Sequence, residues 1–389
     1  MPFIQAPAKV LLTGANGYFA VYAIKDLLDR GYTVVGTVRS ESKGEELVKL
    51  FPSHTGKITY AVVPDIVKKG AFDQVIAEGN FDAVAHAASP VVVPDGTFED
   101  YVKPAIEGTV GILDSIKSHG QTVKRVVITS STAAINTSQK GIKHNEAILY
   151  LQLCILHADT RLLQTHWSEF MINLVEQQGV RALVALYSYS KVVAEKAVWK
   201  WWSENEKSVS WDLATINPCL LLGEPIHAVT SRDQLSSTNA VLSLILQPHE
   251  DLTEKPWPIV HVRDAAVIHS AIFERKEDVS KRRVITVGGE PSWQDMYDAL
   301  SDFSGIPKGN PGVGTTSDTS TPSWDTSFAR ELLGRDFAGT KEIECMTDWE
   351  GIFKGWELPG ARERPGDGYW NTETRGKASG SGGDPFPVV

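Results

Sequence analysis

The stretch Thr13-Gly14-Ala15-Asn16-Gly17-Tyr18-Phe19-Ala20 decides the predicted fold. It joins a β-rich apolar run to a segment whose apolar residues recur at helical spacing as far as Arg30. Small residues at such a turn let backbone N–H groups approach a pyrophosphate closely, and the helix dipole favours its charge. The stretch therefore predicts a dinucleotide site, the alternative being a glycine turn that binds nothing. The candidate binding residues are Gly14, Asn16, Gly17, Tyr18 and Phe19.

Short β-rich runs alternate with helical patterns along the N-terminal part, which is typical of parallel βαβ units. The six predicted strands are Lys9 to Thr13, Thr33 to Val38, Ile58 to Val63, Asp82 to His86, Arg125 to Thr129 and Asp212 to Asn217. Right-handed crossovers between such strands make a doubly wound sheet, whose ligand lies at the carboxyl ends of the strands. We expect an α/β fold, a doubly wound parallel sheet of the Rossmann type with a smaller C-terminal substrate-binding lobe.

The pattern becomes irregular after Pro218, where further prolines interrupt short segments, and this predicts a second lobe rather than more of the same sheet. Residues 1–225 are assigned to the dinucleotide-binding domain. Residues 226–358 are assigned mainly to the second lobe, with a return to the first domain near 259–270. Residues 359–389 have the composition of a flexible tail.

Composition excludes several classes of protein. The 389 residues, 42% hydrophobic and 22% charged, are those of a globular chain large enough to bury a core. A net charge of −10 offers nothing that attracts nucleic acid or an anionic membrane. Three widely spaced cysteines argue against a disulfide framework or a metal site, and no apolar run reaches the roughly 20 residues that span a bilayer. We therefore expect a cytoplasmic protein, and its oligomeric state is not predicted.

Arg39 stands at the end of the second predicted strand, followed by Ser40 and Lys43. Proteins that prefer NAD usually carry Asp or Glu at this place to bond the ribose 2′-hydroxyl. A guanidinium can instead hold a 2′-phosphate in a forked, charge-assisted contact. The pattern predicts NADP(H) as the cofactor, with Arg39 and Lys43 as binding residues, and the alternative is a solvated surface arginine.

Two further places carry side chains suited to carbonyl reduction. Ser131 follows the strand Arg125 to Thr129, while Tyr187 and Lys191 lie four residues apart in a helical stretch that continues to about Glu206. Hydride transfer from a nicotinamide leaves negative charge on a carbonyl oxygen. A phenol can protonate that oxygen at neutral pH when a nearby ammonium stabilises the phenolate. Tyr187 is the candidate acid, Lys191 its stabilising partner and Ser131 a second hydrogen-bond donor.

The spacing of Tyr187 and Lys191 is a weak signal by itself. The signal becomes stronger because the motifs follow one another in the order that a reductase needs. The glycine turn comes first, then the strand that ends in hydroxyl side chains, and then the helix with the tyrosine and the lysine. The alternative is that Tyr187 is a packed helical residue and Lys191 is solvated. Tyr189, two positions further on, would face elsewhere on the helix.

Together these motifs resemble those of extended short-chain dehydrogenases/reductases, in the branch of NADPH-dependent aldehyde and methylglyoxal reductases, dihydroflavonol reductases and cinnamoyl-CoA reductases. The matching stretches are TGANGYFA (13–20), VRS (38–40), Asp65-Ile66, HAASP (86–90), TSS (129–131), YSYSK (187–191), INP (216–218) and HVRDAA (261–266). They cover most of residues 7–340.

The resemblance implies roles for residues that spacing alone does not assign. Asp65 and Ile66 would flank the adenine, Ala87 and Ala88 would lie along the cofactor, and Pro218 would border the nicotinamide. An alternative for His86 to Pro90 is a tight loop that closes a strand.

The resemblance also implies that Ser131, Tyr187 and Lys191 form a catalytic triad in which Lys191 bonds the nicotinamide ribose. Ser130 is a near neighbour of the serine in that triad. His261 is expected to be structural rather than catalytic.

The stretch between Ser131 and Tyr187 is longer than this family usually has, and residues 144–164 look like the excess. Four interpretations are open: a helical lid, an interaction segment, a surface extension without a task, or intron sequence translated through an error in the gene model. Displacement of Tyr187 by this insertion would impair activity.

The leading prediction is an NADPH-dependent reductase that converts a small-molecule aldehyde or ketone to the alcohol. One alternative is a nucleotide-sugar epimerase or dehydratase, which uses the same three side chains and recycles its bound cofactor. Another is a catalytically weak NADP-binding regulator or redox sensor. Residues 223–246 are expected to line the substrate pocket, and the substrate itself is not predicted.

Overall fold

The computed structural model describes residues 3–89, 98–135, 167–179, 183–227, 244–245, 247–277, 279–301, 306–311, 313 and 324–339. Within them, no helix combines the length and the apolar character needed to cross a membrane.

Seven of the described strands form one parallel sheet, in the order β3-β2-β1-β4-β5-β6-β9. Two further strands, β7 and β8, pair in parallel outside this sheet. The strands are β1 (Lys9–Thr13), β2 (Thr33–Val38), β3 (Ile58–Val62), β4 (Ala83–His86), β5 (Arg125–Thr129), β6 (Asp212–Pro218), β7 (Leu220–Leu222), β8 (Ile259–His261) and β9 (Arg282–Thr286).

Helices lie in several of the connections between the strands, and two more follow the last strand. They are α1 (Tyr18–Asp29), α2 (Glu41–Lys49), α3 (Asp73–Gly79), α4 (Phe98–His119), α5 (Glu169–Ile172), α6 (Leu183–Asn205), α7 (Val262–Glu274), α8 (Trp293–Ala299) and α9 (Ser327–Leu333). Short 3-10 turns cover Pro52–His54, Thr132–Ala134 and Glu206–Ser208, and a π-helical turn covers Asn173–Gln177.

The predicted doubly wound fold is confirmed, since helices pack on both faces of the parallel sheet. Alternate residues of β1 enter different clusters: Val10 and Leu12 pack with α1 and α7, whereas Leu11 packs with α4 and α6. This alternation follows from the period of two along a strand. A third cluster joins β7, β8 and α8 in the C-terminal region.

The six predicted strands are all present, with end positions that differ by at most one residue. The expectation that the chain after Pro218 leaves the sheet is wrong for β9, which pairs with β6 and adds a seventh strand. Two consecutive arginines begin β9, a pattern typical of an exposed segment. Arg283 is nevertheless buried, and its ion pair with Glu195 compensates the buried charge. Near 259–270, β8 pairs with β7 while α7 packs against α1, and the domain boundaries remain a prediction.

A buried ion pair holds the amino ends of β5 and β6 together. Arg125 Nε and Nη2 each donate to an oxygen of Asp212 at 2.7 Å. Its Nη1 donates to the carbonyl oxygens of Ile272 at 2.6 Å and Arg275 at 2.7 Å. The guanidinium is thus hydrogen-bonded throughout its planar fork, which is the condition under which a buried charge is tolerated.

His269 lies fully buried in α7, with the rings of Phe19 and Phe273 at centroid distances of 5.7 and 5.4 Å. Neither ring nitrogen has a hydrogen-bond partner among the described residues. Burial lowers the pKa of His269 to about 3, so this imidazole is neutral in the folded protein near neutral pH.

The pKa of His269 predicts one source of acid sensitivity. Below its ordinary value of about 6.5 the unfolded chain binds a proton that the folded chain excludes until about pH 3. The unfolding free energy therefore falls as the pH decreases through this window. We expect His269→Phe to reduce that slope by up to about 1.4 kcal/mol per pH unit between pH 4.5 and 5.5. Urea denaturation at several pH values measures the slope, and an unchanged slope in the variant would contradict the assignment.

Candidate active site

The glycine turn after β1 lies against the segment that follows β4. Gly14 has a φ of +67°, and a Cβ at this position would lie 2.7 Å from Ala88 Cα, so a larger residue does not fit. The Thr13 hydroxyl accepts the N–H of Ala88 at 3.1 Å and shares a hydrogen bond with Nδ1 of His86 at 2.8 Å. These contacts hold the ends of β1 and β4 together.

His86 serves this turn rather than proton transfer. It is fully buried, and burial, together with the charge of Lys191, lowers its pKa to about 3. The imidazole is therefore neutral, and one of its ring nitrogens, Nδ1, is hydrogen-bonded to the Thr13 hydroxyl.

The turn fits a pyrophosphate. Gly17 precedes α1, and no side chain caps the helix, so the backbone donors of the first turn are left for an anion. Ala15 is buried beneath the turn because Gly36 of β2 has no side chain, and a Cβ there would lie 2.5 Å from Ala15 Cβ. Asn16 is half-buried beside Gly17. The chain thus forms a close-fitting cradle where dinucleotide phosphates would lie.

The side chains of Tyr18 and Phe19 do not face this cradle. The Tyr18 hydroxyl donates to the carbonyl oxygen of Gly223 at 2.6 Å, and the Phe19 ring packs edge-on against His269. Any contact of these two residues with a ligand in the cradle would therefore come from their backbone.

Arg39 follows β2 with an exposed side chain that makes no hydrogen bond or ion pair with any described residue. Its guanidinium is available for an anion. Ser40 caps α2 by accepting the N–H of Lys43 at 3.5 Å, and Lys43 Nζ pairs with Glu46 at 2.9 Å. The structure thus places Arg39, Ser40 and Lys43 together at the start of α2.

The remaining cofactor candidates stand at the carboxyl ends of other strands, the edge where parallel sheets bind ligands. Asp65, after β3, accepts the N–H of Val67 at 2.9 Å, and the half-buried Ile66 packs against the α4 side of the core. Ala87 is half-buried after β4, and Pro218 is the buried last residue of β6.

Tyr187 and Lys191 lie one turn apart on α6. The side chain of Tyr187 is 39% exposed, an unusual value for a large aromatic residue in this structure. Lys191 Nζ lies 5.7 Å from the centroid of the Tyr187 ring. It also donates to Ser89 Oγ at 3.0 Å, which ties α6 to the segment after β4. The phenol and the ammonium therefore share one face of the helix, as the spacing predicts.

Ser130 and Ser131 have different environments. Ser130 Oγ donates to the buried carboxylate of Glu195 at 2.6 Å, so its hydrogen is already committed. Ser131 Oγ caps the turn Thr132–Ala134 by accepting the N–H of Ala133 at 3.1 Å, and no described residue accepts its hydrogen. This turn packs against α6. Of the two serines, Ser131 suits a hydrogen bond to substrate.

Two other predictions agree with the geometry. Tyr189 is buried, and its hydroxyl donates to Glu176 Oε1 at 2.5 Å, away from Lys191. His261 is buried at the N-terminus of α7, where its Nδ1 accepts the N–H of Arg263 at 2.9 Å. Its role in the described structure is to cap this helix.

Four residues without a predicted role contact the candidate triad or its neighbours: Ser89, Glu195, Asn217 and Arg283. Two of them, Ser89 and Asn217, stand in the matching stretches HAASP and INP. A signal for Glu195 existed, since it follows Lys191 by one further helical turn. Pro90, the insertion 144–164, the tail 359–389 and most of residues 223–246 lie outside the described residues.

The fold and the arrangement of side chains at its strand ends are those of a nucleotide-dependent oxidoreductase. Residues 10–153 match the model of the NAD dependent epimerase/dehydratase family. The NADPH-dependent methylglyoxal reductase of Saccharomyces cerevisiae is 32% identical over 349 residues, which cover 86% of this chain and 95% of that protein. A ketoreductase of Aspergillus niger is 37% identical over 300 residues, covering 75% of this chain and 81% of that protein.

Solved structures give the same result. The crystal structure of yeast methylglyoxal/isovaleraldehyde reductase complexed with NADPH superposes with a TM-score of 0.72 at 30% identity, covering 89% of this chain and 98% of that one. The chain belongs to the extended short-chain dehydrogenases/reductases, in the branch of the methylglyoxal reductases, and the family predicted from its motifs is confirmed.

The close approach of Gly14 to Ala88 yields a test with an internal control. Gly56 also has a positive φ, +79°, but no atom lies within 4 Å of its Cβ position. We expect Gly56→Ala to cost roughly 1–2 kcal/mol of unfolding free energy, the cost of a left-handed conformation. Gly14→Ala should cost clearly more and should also weaken NADPH binding. Urea denaturation and fluorescence titration with NADPH measure both effects, and equal effects in the two variants would rule out the proposed clash.

Proposed function

We propose that this protein reduces an aldehyde or ketone to the alcohol with NADPH, and that Tyr187, Lys191 and Ser131 carry the reaction. The observation that carries the proposal is an exposed phenol beside an ammonium, 5.7 Å from ring centroid to nitrogen. Both lie on a helix packed against the turn that Ser131 caps. The relatives named as a methylglyoxal reductase and a ketoreductase support the same reaction class.

Each of the three side chains has a separate role in the reduction of the carbonyl group. When bound, NADPH supplies the hydride that the carbonyl carbon accepts. The Tyr187 hydroxyl gives its proton to the oxygen as negative charge develops there. The Lys191 ammonium stabilises the phenolate that remains, and the Ser131 hydroxyl donates a hydrogen bond to the same oxygen. A proton from solvent then restores the phenol.

We further propose that the cofactor carries a 2′-phosphate, which Arg39 binds with help from Lys43. The proposal is supported by a guanidinium after β2 that pairs with none of the described residues, and by the basic rather than acidic residue at that strand end. Gly14, Asn16 and Gly17 would hold the pyrophosphate, as would the backbone of Tyr18 and Phe19. The candidates Asp65, Ile66, Ala87, Ala88 and Pro218 would line the rest of the dinucleotide.

Replacement of the phenol tests the reaction. We expect Tyr187→Phe to lower kcat/KM by well over tenfold, because the variant has no proton to donate. NADPH oxidation with a panel of aldehydes, diketones and aryl ketones is the assay. Tyr189→Phe is the matched control on the same helix and should stay within about threefold of the wild type. A loss below tenfold in Tyr187→Phe, or no net NADPH consumption by the wild type, would refute the proposal.

Arg39→Ala tests the cofactor. Removal of the guanidinium should raise the KM for NADPH at least tenfold, which corresponds to about 1.4 kcal/mol of binding energy. NADH has no 2′-phosphate and serves as the control, so its KM should change by less than about twofold. Steady-state kinetics with both dinucleotides measure the difference, and an equal change for the two would remove the argument for the phosphate.

A further inference from the structure

A buried carboxylate lies directly behind the candidate triad. Glu195 is on α6, one helical turn after Lys191, and its side chain is 1% exposed. Its Oε1 accepts Arg283 Nε at 2.6 Å. Its Oε2 accepts Ser130 Oγ at 2.6 Å and Asn217 Nδ2 at 2.8 Å. Both oxygens are therefore saturated with donors from β6, β9 and the end of β5.

Arg283 keeps this carboxylate ionised. Burial opposes ionisation of Glu195, but the charge of Arg283 and hydrogen bonds from Arg283, Ser130 and Trp199 hold its pKa below the usual value. The Arg283 guanidinium, itself buried, also lies 3.9 Å from the centroid of the Trp167 ring. A charge-assisted contact in such surroundings is directional and stronger than a neutral one.

The contacts of Glu195 converge on Ser131. Ser130, held through its hydroxyl, is the residue before Ser131 in the chain. Asn217 Nδ2, held by the same carboxylate, also donates to the backbone oxygen of Ser131 at 3.1 Å. The carboxylate is thus connected to the end of β5 in two ways, through Ser130 and through Asn217. Its own helix carries Tyr187 and Lys191.

We propose that Glu195 is a positioning residue of the site: its carboxylate clamps Ser130 and Asn217 to α6, and so holds Ser131 in place relative to Tyr187 and Lys191. The inference rests on the proposed function, because it assumes that these three side chains act on one oxygen. With its side chain 1% exposed and its oxygens bonded to donors of the protein, Glu195 acts through its neighbours. It extends the Tyr-x-x-x-Lys pattern by one turn, to Tyr-x-x-x-Lys-x-x-x-Glu.

The chain contains a matched control. Arg125 and Asp212 form a second buried arginine–carboxylate pair, which joins β5 and β6 at their amino ends. Loss of either pair removes a buried charge and leaves an arginine uncompensated. A merely structural role for Glu195 predicts that the two losses have similar consequences.

The experiment compares Glu195→Gln and Asp212→Asn with the wild type. Both changes preserve side-chain volume and remove one buried charge, so both should lower the melting temperature. Only Glu195→Gln should lower kcat for NADPH-dependent carbonyl reduction, by roughly tenfold to a hundredfold, because misplacement of a catalytic group is costly. The KM for the carbonyl compound and the Kd for NADPH should change by less than about threefold.

Ser130→Ala provides a second variant, which keeps the ion pair and removes one of the two routes to Ser131. It should show a smaller loss of kcat with a melting temperature near that of the wild type. Should Glu195→Gln fail to fold, this variant decides the question. Equal fractional losses of kcat in Glu195→Gln and Asp212→Asn, or an unchanged kcat in Ser130→Ala, would overturn the proposal.

Hydrogen exchange separates this inference from the proposed function. The amides of residues 130–135 should exchange faster in Glu195→Gln and Ser130→Ala than in the wild type and Asp212→Asn. This measurement needs no turnover. A wild type that reduces no carbonyl compound would defeat the proposed function alone, whereas unchanged exchange at residues 130–135 would defeat the positioning role.

Discussion

The parallel register of β1, β4, β5 and β6 is the constraint on which the site depends. Thr13 is paired with His86, and His86 with Ile128, so β1, β4 and β5 end at nearly the same level. Parallel strands release their loops at one edge of the sheet. The glycine turn, the segment after β4 and the serines after β5 meet there for this reason, although they are far apart in the chain. A reaction that needs a cofactor, a phenol and a hydroxyl close together can therefore take place at this edge of the sheet.

Charge is buried at both ends of the central strands. Arg125 and Asp212 join the amino ends of β5 and β6, and Arg283 and Glu195 join the carboxyl side to α6. Buried pairs offer little net stability, because desolvation consumes much of the attraction between the charges. Their directional hydrogen bonds nevertheless fix the position of the strands relative to the helix. The Arg283–Glu195 pair does so beside the proposed triad.

Two buried histidines are uncharged in the folded protein. His86 and His269 are both fully buried with a pKa lowered to about 3. His86 shares a hydrogen bond with the Thr13 hydroxyl, which joins two strand ends, whereas His269 packs among aromatic rings. The fold therefore tolerates these imidazoles only in the uncharged form. Their protonation couples acid conditions to unfolding, independently of any chemistry at Tyr187.

Local patterns in the sequence were sufficient for much of this protein. Strand-and-turn chemistry predicted the positions of all six sought strands, the glycine turn and the first helix, because each depends on neighbours in the chain. The spacing of Tyr187 and Lys191 predicted their shared helix face for the same reason. Tertiary structure alone decided the contacts of Glu195, Asn217 and Arg283 and the membership of β9 in the sheet. A charged residue is expected at the surface unless its partner is known, and Arg283 lies 88 positions from Glu195. Only folding brings that partner to the carboxylate, and no local pattern reports it.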